Sequence, residues 1–245
     1  GFGVFNIGRN HPGVRRAIQD VLDLDLPNMV QMDCAFLAGV LAERLVARMA
    51  AQGAAHLDAV FLCNSGTEAV EGALKFARAA TGRRRIVALE NSYHGLSYGS
   101  LSVTGNPFFH EGFGPFLPGV SHVPMGDLSA LARELAEGDV AAFLIEPVQG
   151  KGVKFPKDDY YNRAQELCRR HGALLVCDEV QTGLGRTGRW FGFEHWGLEP
   201  DIVTLAKTLS GGYVPCGAIV ARRAIYQCVF PRLDRCIVHS STFGR

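Results

Sequence analysis

Short, uniformly apolar runs alternate with helix-period segments along most of this chain, and that alternation restricts it to a sheet covered on both faces. The apolar runs are residues 60–63, 85–90, 140–146, 172–178 and 216–221. A strand with one wet face alternates apolar and polar residues, whereas a continuous run needs apolar neighbours on both sides. Between the runs, residues 12–24 put Val14, Ile18, Val21 and Leu22 on one helical face, with Pro12 suited to a first turn. Residues 37–49 repeat the pattern through Leu37, Val40, Leu41, Leu45 and Met49. An alanine-rich helix is expected from the 64–68 turn to Ala80, and another, capped by Asp158, to His171. The predicted fold is α/β, with a mostly parallel sheet and helices on both faces. In such sheets ligands bind beyond the carboxyl ends of the strands, where Glu146, Asp178 and the 64–68 turn fall, with Lys207 expected to join them.

Composition narrows the function classes. The 245 residues are 47% hydrophobic, enough for a sizeable core, and a net charge of +1 offers no electrostatic footprint for nucleic acid or an anionic membrane. No apolar run approaches the roughly 20 residues of a membrane span, and no secretory signal is expected. Seven cysteines, without a Cys-x-x-Cys pair or a metal-binding spacing, read as reduced core thiols of a cytoplasmic protein. The basic cluster Arg83-Arg84-Arg85 reads as a solvated turn between helix and strand. The chain begins at Gly1 in a loop-like segment and stops at Arg245 after a strand and turn, so a segment of a longer protein is expected.

Three elements carry chemistry. Lys207 lies in the run from Asp201 to Gly212, after apolar residues and before Ser210-Gly211-Gly212, at the mouth of the sheet, where a partly desolvated amine can serve as a Schiff-base nucleophile. Asp178 ends another strand and can face the ring nitrogen of a pyridoxal cofactor. The turn Asn64-Ser65-Gly66-Thr67-Glu68 between strand and helix can aim free N–H groups at a phosphate, although Ser65 and Glu68 equally fit a capping box. Gly183-Leu184-Gly185-Arg186-Thr187-Gly188 matches a dinucleotide fingerprint in letters only. Four residues separate it from the strand, and the aromatic, glycine-broken tail after it has no helical period.

In combination, Asn64-Ser-Gly-Thr-Glu-Ala69, Tyr93-His94-Gly95, Glu146-Pro-Val-Gln149-Gly150, Asp178-Glu-Val-Gln181-Thr-Gly-Leu-Gly-Arg-Thr-Gly188, Ala206-Lys207 and Ser241-Thr-Phe-Gly244 resemble the class III (ornithine- and acetylornithine-type) aminotransferases. These are fold-type-I pyridoxal 5′-phosphate enzymes, and the resemblance runs from about Asn6 to Thr242. It implies that residues 1–245 form the cofactor-binding large domain with part of the N-terminal segment, the C-terminal small domain lying outside the chain. It also implies roles. Ser65, Gly66 and Thr67 would bind the phosphate, Tyr93 would stack on the ring with His94 beside it, and Asp178 would pair with the ring nitrogen. Val180 would pack on the ring face, Gln181 would approach the 3′-oxygen, Glu146 would line the substrate side and Lys207 would carry the Schiff base. Thr242 would reach the phosphate of the partner subunit in a homodimer with shared sites.

The implied reaction moves an amino group from an amino acid, ω-amino acid or diamine to a 2-oxo acid. Another reaction of the same family (aminomutase, decarboxylase or epimerase) and a non-catalytic dimerisation module remain open alternatives. Two departures bear on substrate. Leu96 stands where the acetylornithine branch commonly has arginine, and Gln149-Gly-Lys151-Gly-Val153 replaces a common Gln-Gly-Glu-Gly-Gly.

Overall fold

The computed structural model describes residues 1–26 and 35–244. Among these, seven strands make one sheet: β1 (Ala59–Cys63), β2 (Arg85–Leu89), β3 (Val120–Val123), β4 (Val140–Ile145), β5 (Leu174–Asp178), β6 (Ile202–Leu205) and β7 (Gly217–Ala221), in the order β1-β7-β6-β5-β4-β2-β3. Strands β3, β2, β4, β5 and β6 run parallel, and β7 is antiparallel to both β6 and β1. The helices are α1 (Pro12–Asp23), α2 (Phe36–Ala51), α3 (Gly66–Thr81), α4 (Tyr98–Val103), α5 (Leu128–Ala136), α6 (Tyr160–His171) and α7 (Arg223–Val229).

The continuous apolar runs are explained by two cores, one on each face. Val87, Leu89, Phe143, Ile145, Leu175, Cys177, Val203 and Leu205 face α2, α5 and α6. Their neighbours Ile86, Ala88, Ala142, Leu144, Val176 and Ile202 face α3 and α7. This is the period-two alternation of a strand with both faces covered. Every residue of β4, an interior strand between β5 and β2, is buried; each large aliphatic or aromatic side chain there contributes roughly 1.5–3 kcal/mol. The reversal at β7 has a local cause. After β6 the chain makes one 3₁₀ turn, Lys207–Ser210, and Gly211 and Gly212 take φ of 62° and 84°, so it returns without a crossover helix.

Helix α1 forms within the expected bounds, with Val14, Ile18 and Val21 of its apolar face half-buried and Leu22 exposed. Other expectations are corrected. The cap position of α6 is Asp159, without a side-chain bond, and Asp158 instead adopts φ 57°. The arginine cluster is not simply solvated. Arg83 Nη1 donates to the carbonyls of Val140 (3.1 Å) and His171 (2.6 Å), and Arg85 pairs with Glu134, Glu137 and Asp139. Of the cysteines described as free thiols, Cys63, Cys168 and Cys177 are buried but Cys228 and Cys236 are exposed; Cys34 lies outside the described residues. No helix of the described residues is long and apolar enough to cross a membrane.

Candidate active site

A cleft of ≈ 1130 Å³ opens at the carboxyl ends of the strands and is lined by residues of the 64–68 turn, Tyr93, Glu146, Asp178 and Lys207. On one side it ends at α3. Ser65 is the N-cap of that helix, and its Oγ accepts the Glu68 N–H at 3.3 Å. The reciprocal half of the expected capping box is displaced by one residue, because Glu68 Oε2 accepts both the N–H and the side-chain amide of Asn64, each at 2.8 Å. The first N–H groups of a helix have no intrahelical partner, so Ser65, Gly66 and Thr67 present donors and the positive end of the dipole to the cleft. A Cβ at Gly66 would lie 2.7 Å from Val180 Cγ1, so only glycine permits this approach of α3 to the loop after β5.

Asp178 is the last residue of β5 and 4% exposed. Its Oδ1 accepts the Val180 N–H (3.1 Å) and the Thr204 hydroxyl (3.0 Å), and its Oδ2 accepts from His94 Nδ1 at 2.8 Å. His94 is buried next to Tyr93 at the border of the cleft, and its bond to Oδ2 fixes the orientation of the carboxylate. The neighbouring Glu179 points away into the fold. It accepts from the Thr182 hydroxyl and from the N–H groups of Gly192 (2.9 Å) and Phe193 (2.7 Å). It thereby ties down the glycine-rich 183–188 loop, which leads to a short 3₁₀ segment, Gly192–Trp196, and not to a nucleotide-binding helix.

Lys207 follows β6 with φ 45°, a strained region for a side chain of this size. Its Nζ donates to Gln181 Oε1 at 3.2 Å. Burial pulls its pKa below the ordinary lysine value, partly offset by the Asp178 and Glu146 carboxylates. Glu146 is itself a clasp. Oε1 accepts the Tyr93 N–H and Oε2 the Gly150 N–H, both at 2.8 Å, and burial raises its pKa. The Tyr93 ring meets Phe109 edge-on with centroids 5.1 Å apart. Lys151, the residue of the departed motif, lines the cleft with Phe109 and holds its ammonium 4.8 Å from the ring centres of Phe108 and Phe109.

One expected residue stays apart. Thr242 is exposed and does not line the cleft of its own chain, while its neighbour Ser241 accepts the Asn64 side-chain amide at 2.9 Å. Residues not predicted also enter: Ser97 and Phe109 line the cleft, and Glu71, one turn beyond Thr67 on α3, bonds to Ser97. The Thr67–Glu71 spacing of four was the one sequence signal that they share a face.

The donor set fits pyridoxal phosphate. A helix N-terminus suits the phosphate, a buried carboxylate suits a protonated ring nitrogen, and an amine of lowered pKa suits the aldehyde carbon. The comparisons agree. The chain is 44% identical over its whole length to aminotransferase PigE of Serratia sp. and 42% identical to putrescine aminotransferase of Pectobacterium atrosepticum, spanning 28% and 52% of those proteins. Among solved structures, ornithine aminotransferase from Toxoplasma gondii superposes with a TM-score of 0.89 at 34% identity, covering 100% of this chain and 57% of its own. A pyridoxal phosphate-bound amine transaminase from an uncultivated Pseudomonas species superposes with a TM-score of 0.86 at 36% identity, covering 99% and 61%. The family model described as aminotransferase class-III matches residues 1–245, and the chain belongs to that family.

Proposed function

We propose that the chain is the cofactor-binding part of a pyridoxal phosphate-dependent transaminase that moves an amino group from an amino acid, ω-amino acid or diamine to a 2-oxo acid. The observation that carries this reading is Lys207, a partly buried amine sharing one cleft with the Asp178 carboxylate and the N-terminus of α3. When bound, pyridoxal phosphate supplies an electrophilic carbon and a ring that accepts electrons as a C–H bond ionises. Ser65, Gly66 and Thr67 would hold its phosphate, Tyr93 and Val180 its two faces, Gln181 its 3′-oxygen and Asp178 its ring nitrogen. His94 keeps Asp178 aimed through Nδ1. Lys207 Nζ is the attachment point and, when free, the base that takes a proton from the amino-bearing carbon and returns it. Its lowered pKa favours the neutral amine that both tasks require. Glu146, with both oxygens engaged, holds the Tyr93 and Gly150 loops against each other on the substrate side.

The same reading makes the protein a homodimer in the cytoplasm. Exposed Leu22 and Leu24 at the end of α1 and exposed Phe36 and Leu37 at the start of α2 offer an apolar surface suited to a subunit interface, and exposed Thr242 is free of its own cleft. The free thiols support a reducing compartment. The test uses the intact protein with pyridoxal phosphate and a panel of amino donors, following loss of the 2-oxo acid. Borohydride reduction and peptide mapping then locate the pyridoxyl label, expected on Lys207. Label on another lysine overturns the site assignment. Turnover of donor without loss of 2-oxo acid points to a different reaction.

A further inference from the structure

A cluster of hydroxyls packs around the phosphate turn. Thr67 Oγ1 lies 2.7 Å from Ser97 Oγ and 2.5 Å from Ser100 Oγ, and it accepts the Ser97 N–H at 3.2 Å. Ser97 Oγ donates to Glu71 Oε1 at 2.5 Å, and the same oxygen accepts the N–H groups of Gly99 (2.8 Å) and Ser100 (3.0 Å). Glu71 thus supplies, from α3, the cap that α4 lacks locally, since Ser97 at the N-cap of α4 makes no side-chain cap bond. A carboxylate can only accept. The Ser97 proton is therefore committed to Glu71, and Ser97 Oγ faces Thr67 and Ser100 as an acceptor.

The cluster has no slack. Gly95 holds φ 124°, and a Cβ there would collide with Thr67 Oγ1 and lie 2.7 Å from Ser100 Oγ. A Cβ at Gly99 would collide with the Glu71 carboxylate. Thr67 and Ser97 line the cleft, whereas Glu71 is not among its lining residues.

We propose that Glu71 is a positioning residue of the phosphate cradle: it fixes Ser97 and the start of α4, and through them the Thr67 hydroxyl at the N-terminus of α3. This rests on the reading of residues 65–67 as the phosphate site. The prediction is an effect on affinity that depends on the ligand carrying a phosphate. Dissociation constants for pyridoxal phosphate and for pyridoxal, which lacks the phosphate, are measured by absorbance titration on the intact wild type, Glu71→Ala, Glu71→Gln and Ser97→Ala. Glu71→Ala is expected to weaken pyridoxal phosphate about tenfold or more, the scale of one lost hydrogen bond to a charged group, with pyridoxal changed less than about twofold. Glu71→Gln, whose amide oxygen still accepts, should fall between wild type and Glu71→Ala. Parallel weakening of both ligands, or no change in either, overturns the proposal. If Glu71→Ala does not fold, the Gln and Ser97→Ala variants carry the same comparison. A wild type that binds both ligands equally would instead remove the phosphate-site reading itself.

Discussion

Asp178 and Glu179 are adjacent carboxylates at the end of β5, and their surroundings give them opposite tasks. Asp178 lines the cleft and accepts from His94, Thr204 and Val180. Asp178→Asn keeps the shape but loses the charge that, in the proposed role, would stabilise a protonated ring nitrogen. Turnover should fall on the order of a hundredfold or more, the usual scale for an electrostatic partner of the transition state, with cofactor occupancy changed far less. Single-turnover proton abstraction at wild-type rate would rule that role out. Glu179 is buried, and burial raises its pKa from 4.5 to about 7, offset in part by its three donors. The folded state thus retains a proton that the unfolded chain has released above about pH 4.5. Through this group stability falls as pH rises across roughly 4.5 to 7, because the native state binds more protons there. Glu179→Gln should remove that pH-dependent component from denaturation curves. It should also lower stability by about 1–3 kcal/mol, since its amide turns a donor toward an N–H that needs an acceptor. An unchanged pH slope would show that Glu179 does not titrate in this window.

At the scale of elements, the meeting of α3 with the loop after β5 sets the width of the cleft. Gly66→Ala would press a methyl against Val180 and should cost about 1–3 kcal/mol by overpacking. Adding Val180→Ala should recover most of that loss, so a double-mutant cycle in urea should show strong coupling; strict additivity would mean that the two positions do not meet. The same scale shows where sequence reading ran out. The long apolar runs of β4 and β5 and the alanine-rich α3 were legible because both faces of each strand, or one face of the helix, are buried. The edge strand β3 was not, being four residues of which only Val123 is buried. Helix α4 was missed because its six residues are held partly by Glu71, far away in sequence.

For the whole molecule, the decisive issue is assembly. If Thr242 completes the partner's phosphate site, two defective subunits can repair each other. A hybrid dimer of one Lys207→Ala and one Thr242→Ala subunit contains one site with both residues native. Random mixing should therefore recover about a quarter of wild-type activity, given that each variant alone is impaired. No recovery, in a mixture shown by mass to contain hybrids, would place Thr242 in its own subunit's site or in none.

By itself the sequence determined the α/β class and the positions of the main strand ends, and it singled out the candidate residues that the cleft brings together. Those properties follow from local periodicity and from motifs spanning a few residues, such as Asn64–Ala69 and Asp178–Gly188. The tertiary structure alone decided which groups act on which. His94 bonds Asp178 although 84 residues separate them, Lys207 reaches Gln181 across 26, and Glu71 captures Ser97 across 26. Sequence spacing carries no information on such contacts, because they arise from strand order in the sheet: β5 lies between β4 and β6, bringing together loops from distant parts of the chain. The same holds for Glu146. Its place at a strand end was readable, but the engagement of both its oxygens by Tyr93 and Gly150 appears only once β4 has brought those loops together.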